Sequence, residues 1–133
     1  MSRENVDRLR SVYEQWARGN FRAGGELLDD EVVFITFEAI ADEDLVLHGK
    51  QAVTDFMRRF LEQWDDLTIE ARDFVVSGDK VLVDAHQSAR GKLSGAGVEM
   101  DIAHIWTFRG GRATEFRSLR DRQKALEAAG LGE

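Results

Sequence analysis

The chain contains neither cysteine nor proline among its 133 residues. Without cysteine there is no disulfide framework, no thiol nucleophile and no thiolate metal ligand. This fits a reducing compartment, and the expected localisation is cytoplasmic. Without proline, turns must rest on the 12 glycines and on Asp and Asn. No apolar run approaches the roughly 20 residues that a membrane-spanning helix needs. The opening Ser2-Arg3-Glu4-Asn5 has no apolar core of the secretory kind. No membrane partner is expected. The 3 histidines, His48, His86 and His104, are well separated and form no HExxH pair. A metal site therefore has no support. The glycine-rich stretch 91–97 lacks the strand–loop–helix context of a phosphate-cradling loop, and no cofactor is expected.

What is present has globular character. Hydrophobic residues make up 43% and charged residues 32% of the chain, a composition that excludes disorder. The length suits one domain, residues 1–133, with a sizeable core. The net charge is -7, and basic residues are interspersed with acids. Nucleic-acid binding, which needs a basic face, is not expected.

Ser2 is a candidate N-cap. Val6, Leu9, Tyr13 and Trp16 then recur at helical spacing, with Val12 and Ala17 widening the stripe. Gly19 ends this helix. Asn20 predicts a second, short helix carrying Phe21, Ala23, Leu27 and Leu28, ended by Asp29-Asp30. Residues 32–37, Val-Val-Phe-Ile-Thr-Phe, are β-branched and aromatic, and predict a strand. Residues 38–47 have no clear period and read as a loop or lid. Gly49 opens a helix in which Val53, Phe56, Met57, Phe60, Leu61 and Trp64 follow the i, i+3, i+4, i+7 rule.

From Leu67 the period changes to two. Strands are expected from Leu67 through Val76 and from Val81 through Ala85, joined by a turn at residues 77–80. The next strand alternates most cleanly. Val98, Met100, Ile102, His104, Trp106 and Phe108 share one face, and Glu99, Asp101, Ala103, Ile105, Thr107 and Arg109 the other. Gly110-Gly111 is a hairpin signal. Thr114, Phe116 and Ser118 are expected to continue the inner face on the returning strand. A short helix at 121–129 closes the chain, with Asp121 as its N-cap. One antiparallel sheet with helices gathered on one side follows from this order, an α+β fold.

Several stretches together resemble one family: Tyr13-x-x-Trp16-x-x-Gly19-Asn20, Glu26-Leu27-Leu28-Asp29-Asp30, His48-Gly49-Lys50-x-x-Val53, Ala103-His104-Ile105-Trp106-Thr107-Phe108-x-x-Gly111-Arg112 and Asp121-x-x-x-Ala125-Leu126-x-x-Ala129-Gly130. This pattern resembles the SnoaL-like polyketide cyclase branch of the nuclear transport factor 2-like superfamily. The resemblance implies a cone: a curved antiparallel sheet wrapped around the N-terminal helices, as in cystatin-like folds, with an apolar pocket at the open end. It does not fix an activity, because that superfamily holds cyclases, isomerases, hydrolases, dehydratases and non-catalytic binding domains.

SnoaL-type cyclases carry an inward histidine on the penultimate strand and an inward aspartate on the last. The histidine matches His104, and the aspartate falls on Ser118. Steroid isomerases of the superfamily need a tyrosine, an aspartate base and a protonated aspartate. The corresponding positions here are Val12, Ile35 or Thr36, and His104, with Tyr13 one place off. The inner face also lacks the Asp-Arg-Asp set of the epoxide hydrolases.

His104 is the single ionisable group on an otherwise apolar inner strand face. It is either a core histidine satisfied by a carbonyl, or an acid-base or hydrogen-bonding group facing a ligand. Ser118 stands beside it as the second catalytic candidate. Trp106, Phe60 and Phe116 are candidate lining residues, although aromatics at such spacing usually pack in the core. Gln87 and Thr114 are candidate hydrogen-bonding residues, and Glu38 is a candidate carboxylate on a closing lid. His86 is expected to face solvent or an interface. Two functions follow: a cofactor-independent cyclase, isomerase or hydrolase acting on a small hydrophobic, polyketide- or steroid-like molecule, or a domain that only binds or carries one. A homodimer is also expected, through an outer face bearing Leu82, Ala103, Ile105 and Leu119.

Overall fold

The computed structural model describes residues 3–37 and 44–131. The elements run α1 (Arg3–Ala17), a turn of 3-10 helix (Gly25–Leu27), β1 (Leu28–Phe37), β2 (Asp44–His48), α2 (Lys50–Glu62), β3 (Trp64–Ser77), β4 (Lys80–Gly91), β5 (Gly97–Arg109), β6 (Arg112–Leu119) and α3 (Arg122–Ala128). The strands form one open sheet in the order β2-β1-β6-β5-β4-β3. Register shifts interrupt the ladders of β1, β3 and β6. Such irregularities bend and twist strands, and the sheet curves around α1 and α2.

α1 buries Leu9, Val12 and Tyr13 against the inner face of the sheet, whereas Ala17 is exposed. Its first turns are tied to the β5–β6 hairpin. Asn5 Nδ2 donates to the Gly110 carbonyl at 3.0 Å, and Arg8 donates to that of Gly111 at 2.7 Å. Gly110 makes the turn possible with φ +63°, a backbone conformation open to glycine without penalty. These bonds fix how far α1 slides along the sheet, and so where Tyr13 comes to rest.

The main core joins α1, α2 and the inner faces of β1, β3, β4, β5 and β6 through Leu9, Val32, Val53, Val83, Ile102 and Trp106 among others. A second cluster lies on the outer face. There α3 places Ala125 and Ala129 over Leu82, Ala103 and Ile105, with Leu119 alongside. Leu82 and Ile105 are therefore 0% and 4% exposed. The outer apolar stripe is not an open face awaiting a partner sheet, because the chain's own last helix covers it. Asp121 caps that helix as expected: its carboxylate accepts from the backbone N–H groups of Gln123 at 2.9 Å and Lys124 at 3.3 Å.

Several elements differ from the sequence reading. No second α-helix follows Asn20: a single 3-10 turn leads into β1, which takes in Asp29 and Asp30. Leu45 to Leu47, expected in a loop, pair with β1 as an edge strand. Trp64 lies at the start of β3 rather than on α2. β1 runs parallel to β6, so the sheet is not wholly antiparallel. The fold class nonetheless stands, an α+β sheet curved around helices.

Candidate functional site

His104 lies on β5 with its ring inside the molecule and 3% of the residue exposed. Cross-strand pairing puts Val83 on one side of it and Ser118 on the other. The sequence count that set Ser118 opposite His104 is therefore correct in register. Around the imidazole stand Phe116, at 4.8 Å between centroids, Tyr13 at 5.9 Å and the edge of Trp16 at 6.3 Å. From Phe116 the rings continue to Phe34, which stacks on it at 4.8 Å, and on to Phe56 and Phe60 of α2. The inner face is thus an aromatic band with one imidazole set into it.

The polar contact of that imidazole comes from α1. Tyr13 Oη lies 2.7 Å from His104 Nδ1, and the same oxygen accepts from Trp106 Nε1 at 2.8 Å. Tyr13 is the chain's single tyrosine. Burial pushes the His104 imidazole down to about 3 and raises the Tyr13 phenol well above its ordinary value, because desolvation disfavours each charged form. Both groups are neutral over the physiological range. Trp16 does not compete for them, since its Nε1 donates to the Ala23 carbonyl at 3.0 Å.

The other candidates divide. Trp106 is buried behind Tyr13 and serves as its donor. Phe116 touches the imidazole, and Phe60 is half-buried at the α2 end of the aromatic band. Gln87 pairs with Met100 and Ile69 on the inner face. It is four residues along β4 from Val83, the neighbour of His104, or roughly 13 Å at strand rise, and it does not reach the imidazole. Thr114 is not on the inner face. A bulge after Phe108 gives that place to Ala113, and the Thr114 hydroxyl turns to the Thr107 carbonyl at 3.4 Å. One extra residue inverts the parity of a strand, which simple alternation cannot register. Glu38 lies outside the described residues. Sequence reasoning places Tyr13 on the buried stripe of α1 but not among the candidate site residues, because the tyrosine position of the steroid isomerases falls on Val12. The signal was present in the Tyr13-x-x-Trp16 spacing, which puts both rings on one helix face.

His86, by contrast, sits on the outer face, its ring nitrogens 2.9 Å from Asp101 and 3.1 Å from Glu99. Hydrogen bonds donated by the ring to those carboxylates, Asp101 first, raise its affinity for a proton. Two clefts among the described residues lie away from the imidazole. One, of about 200 Å³, is an outer-face cleft among Arg72, Asp84, Asp101 and Arg122, whose charges pair with one another. The other, of about 390 Å³, lies between the end of α1 and the start of β3, beside Phe21 and Trp64. Neither includes His104. Among the described residues no cluster of His, Cys, Asp or Glu could hold a metal ion, and no helix is long and apolar enough to cross a membrane.

Comparison with known proteins places this architecture. No curated protein matches the chain. Among solved structures it is similar to an NTF2-like protein of unknown function from Burkholderia pseudomallei K96243, at 21% identity and a TM-score of 0.78 over 96% of this chain and 97% of that one. It is similar to TerC co-crystallized with polyporic acid, at 20% identity and a TM-score of 0.73 over 95% and 98%. A protein described as a SnoaL-like polyketide cyclase from Jannaschia sp. CCS1 is 19% identical with a TM-score of 0.73 over 97% and 92%. At such identities these likenesses establish the fold alone. Residues 9–116 match the sequence profile of the SnoaL-like domain, and the chain belongs to that family.

Proposed function

We propose that this protein binds a small hydrophobic molecule, polyketide- or steroid-like, on the aromatic inner face of the sheet, with His104 as its polar contact. The observation that carries this reading is the imidazole itself. It is an imidazole set in the aromatic band, and among the described residues its only hydrogen bond uses Nδ1, with Tyr13. A residue needed only for packing would cost less as an apolar side chain, since burying a polar ring is unfavourable unless it is bonded. Similarity to a protein described as a SnoaL-like polyketide cyclase, and to TerC co-crystallized with polyporic acid, supports a ligand of this kind.

Binding without turnover is the reading favoured over catalysis by one specific position. Opposite His104, where the resemblance calls for the aspartate acid of a cyclase, this chain has Ser118. Serine hydrogen-bonds a ligand but does not supply a proton near neutral pH. A cofactor-independent isomerase, cyclase or hydrolase would have to find its acid or base elsewhere.

The test is a screen of small polycyclic ketones and phenols against the wild-type protein, followed by tryptophan fluorescence. Saturable quenching at micromolar concentration, abolished by competition between two hits, is expected. No saturable response from any compound up to its solubility limit would contradict the reading.

A further inference from the structure

We propose that Tyr13 is a positioning residue that holds His104 in its Nε2–H tautomer, so that the site offers a hydrogen-bond donor to a carbonyl or phenolate oxygen on an apolar ring ligand. This rests on the reading that a small molecule meets His104, and it narrows the class of that molecule.

The chain of reasoning starts at Trp106. An indole nitrogen can only donate, so the 2.8 Å contact makes the Tyr13 oxygen an acceptor. The phenol has one proton, and 2.7 Å away is His104 Nδ1. Two arrangements are conceivable. If Nδ1 carried the proton, Tyr13 would accept twice and its own O–H would be buried with no acceptor among the described residues, an expensive loss. If Tyr13 donates to Nδ1, every group in the relay is satisfied. Burial keeps the phenol protonated and the imidazole neutral. With Nδ1 an acceptor, the remaining ring proton belongs on Nε2.

Nε2–H has no partner among the described residues. Left so, it would be a buried donor without an acceptor, a costly arrangement that a ligand oxygen relieves. The result is an uncharged donor in aromatic surroundings, held by a relay that joins β5 to α1. Such a donor suits an oxygen that carries, or develops, negative charge. It cannot serve as a base, because its one basic nitrogen is already occupied by Tyr13. His104 therefore selects ligands by an acceptor oxygen, and any proton abstraction has to be performed by another group.

The experiment uses protein labelled with 15N in histidine and long-range 1H–15N spectra at pH 7, with 1-indanone and indane as probes. The two compounds share a ring system and differ in the carbonyl. In the wild type, His104 is expected to show a protonated Nε2 and an unprotonated Nδ1, and 1-indanone but not indane should shift Nε2. In Tyr13→Phe the tautomer preference should be lost, and the ketone-induced shift should fall several-fold. A wild-type spectrum with the proton on Nδ1 overturns the relay whatever binds, and it remains decisive if Tyr13→Phe does not fold. An Nε2–H tautomer with equal responses to ketone and hydrocarbon overturns the ligand class. An Nε2–H tautomer with no response to either overturns both the ligand class and the binding reading beneath it.

Discussion

Tyr13 Oη and His104 Nδ1 stand 2.7 Å apart and 91 residues apart in sequence. This single contact joins the first helix to the central strand of the inner face, and it organises the polar part of an otherwise apolar interior. Tyr13→Phe removes the hydroxyl while keeping the ring. It strips Nδ1 of its donor and leaves Trp106 Nε1 buried without an acceptor. A loss of about 1–3 kcal/mol is expected, the penalty of an unpaired buried polar group. Urea unfolding of wild type and variant measures it. A change below about 0.5 kcal/mol would mean that the relay contributes little to folding.

His104 and His86 should respond to pH with opposite signs. His104 has its folded-state value pushed down to about 3, below the unfolded value of about 6.5. Its neutral form thus favours the folded state fully above pH ~6.5, and that stability is lost as pH falls from ~6.5 toward ~3, by roughly 1 kcal/mol per pH unit. Comparing pH–stability curves of wild type and His104→Gln isolates this contribution, since the carboxylates are common to both. His86 is raised by Asp101 and Glu99, so its contribution is present below its unfolded value and fades as pH rises through the folded one. By NMR, His86 should titrate above the usual imidazole range while His104 stays neutral down to pH 4.

Asp121→Ala should cost about 1 kcal/mol, as the loss of an N-cap typically does. The capped helix α3 covers Leu82 and Ile105, so the effect should be felt first as local opening. Hydrogen exchange of the α3 amides should speed up before that of β5. Uniform acceleration across both elements would show that α3 does not open independently.

Ala125→Glu tests the outer cluster directly. Ala125 is fully buried against that cluster, and a carboxylate there has to be exposed by undocking the helix. A destabilisation of about 2 kcal/mol or more, accompanied by self-association through the uncovered Leu82 and Ile105, is expected. Sedimentation velocity and thermal unfolding together measure it. An unchanged monomer-to-oligomer balance and melting transition would refute the role given to α3.

Much of this architecture was legible because particular residues announced it. The alternation from Val98 to Phe108 located β5 and turned His104 inward, and Gly49 and Gly110 marked where chain direction changes. What remained hidden had physical causes. Val12 and Tyr13 are adjacent on α1, yet both are buried, because a helix lying within a curved sheet is covered over a wide arc. A helical period alone does not single out which of them meets His104. The bulge at Thr114 inverts strand parity without a glycine to signal it. β2 is a short edge strand, and its pairing depends on β1 more than on its own composition. The covering of Ile105 by α3 is a tertiary contact, and the outer face of β5 looked exposed because sequence alternation says nothing of what lies on either side.

The central claim is that His104 faces a ligand rather than merely completing the core. His104→Ala should be assayed for its melting transition and for the affinity of 1-indanone on the same preparation. The account predicts a folded variant whose affinity per folded molecule falls by about tenfold, the equivalent of one hydrogen bond of about 1.4 kcal/mol. A variant that melts lower yet binds 1-indanone with unchanged affinity would contradict it.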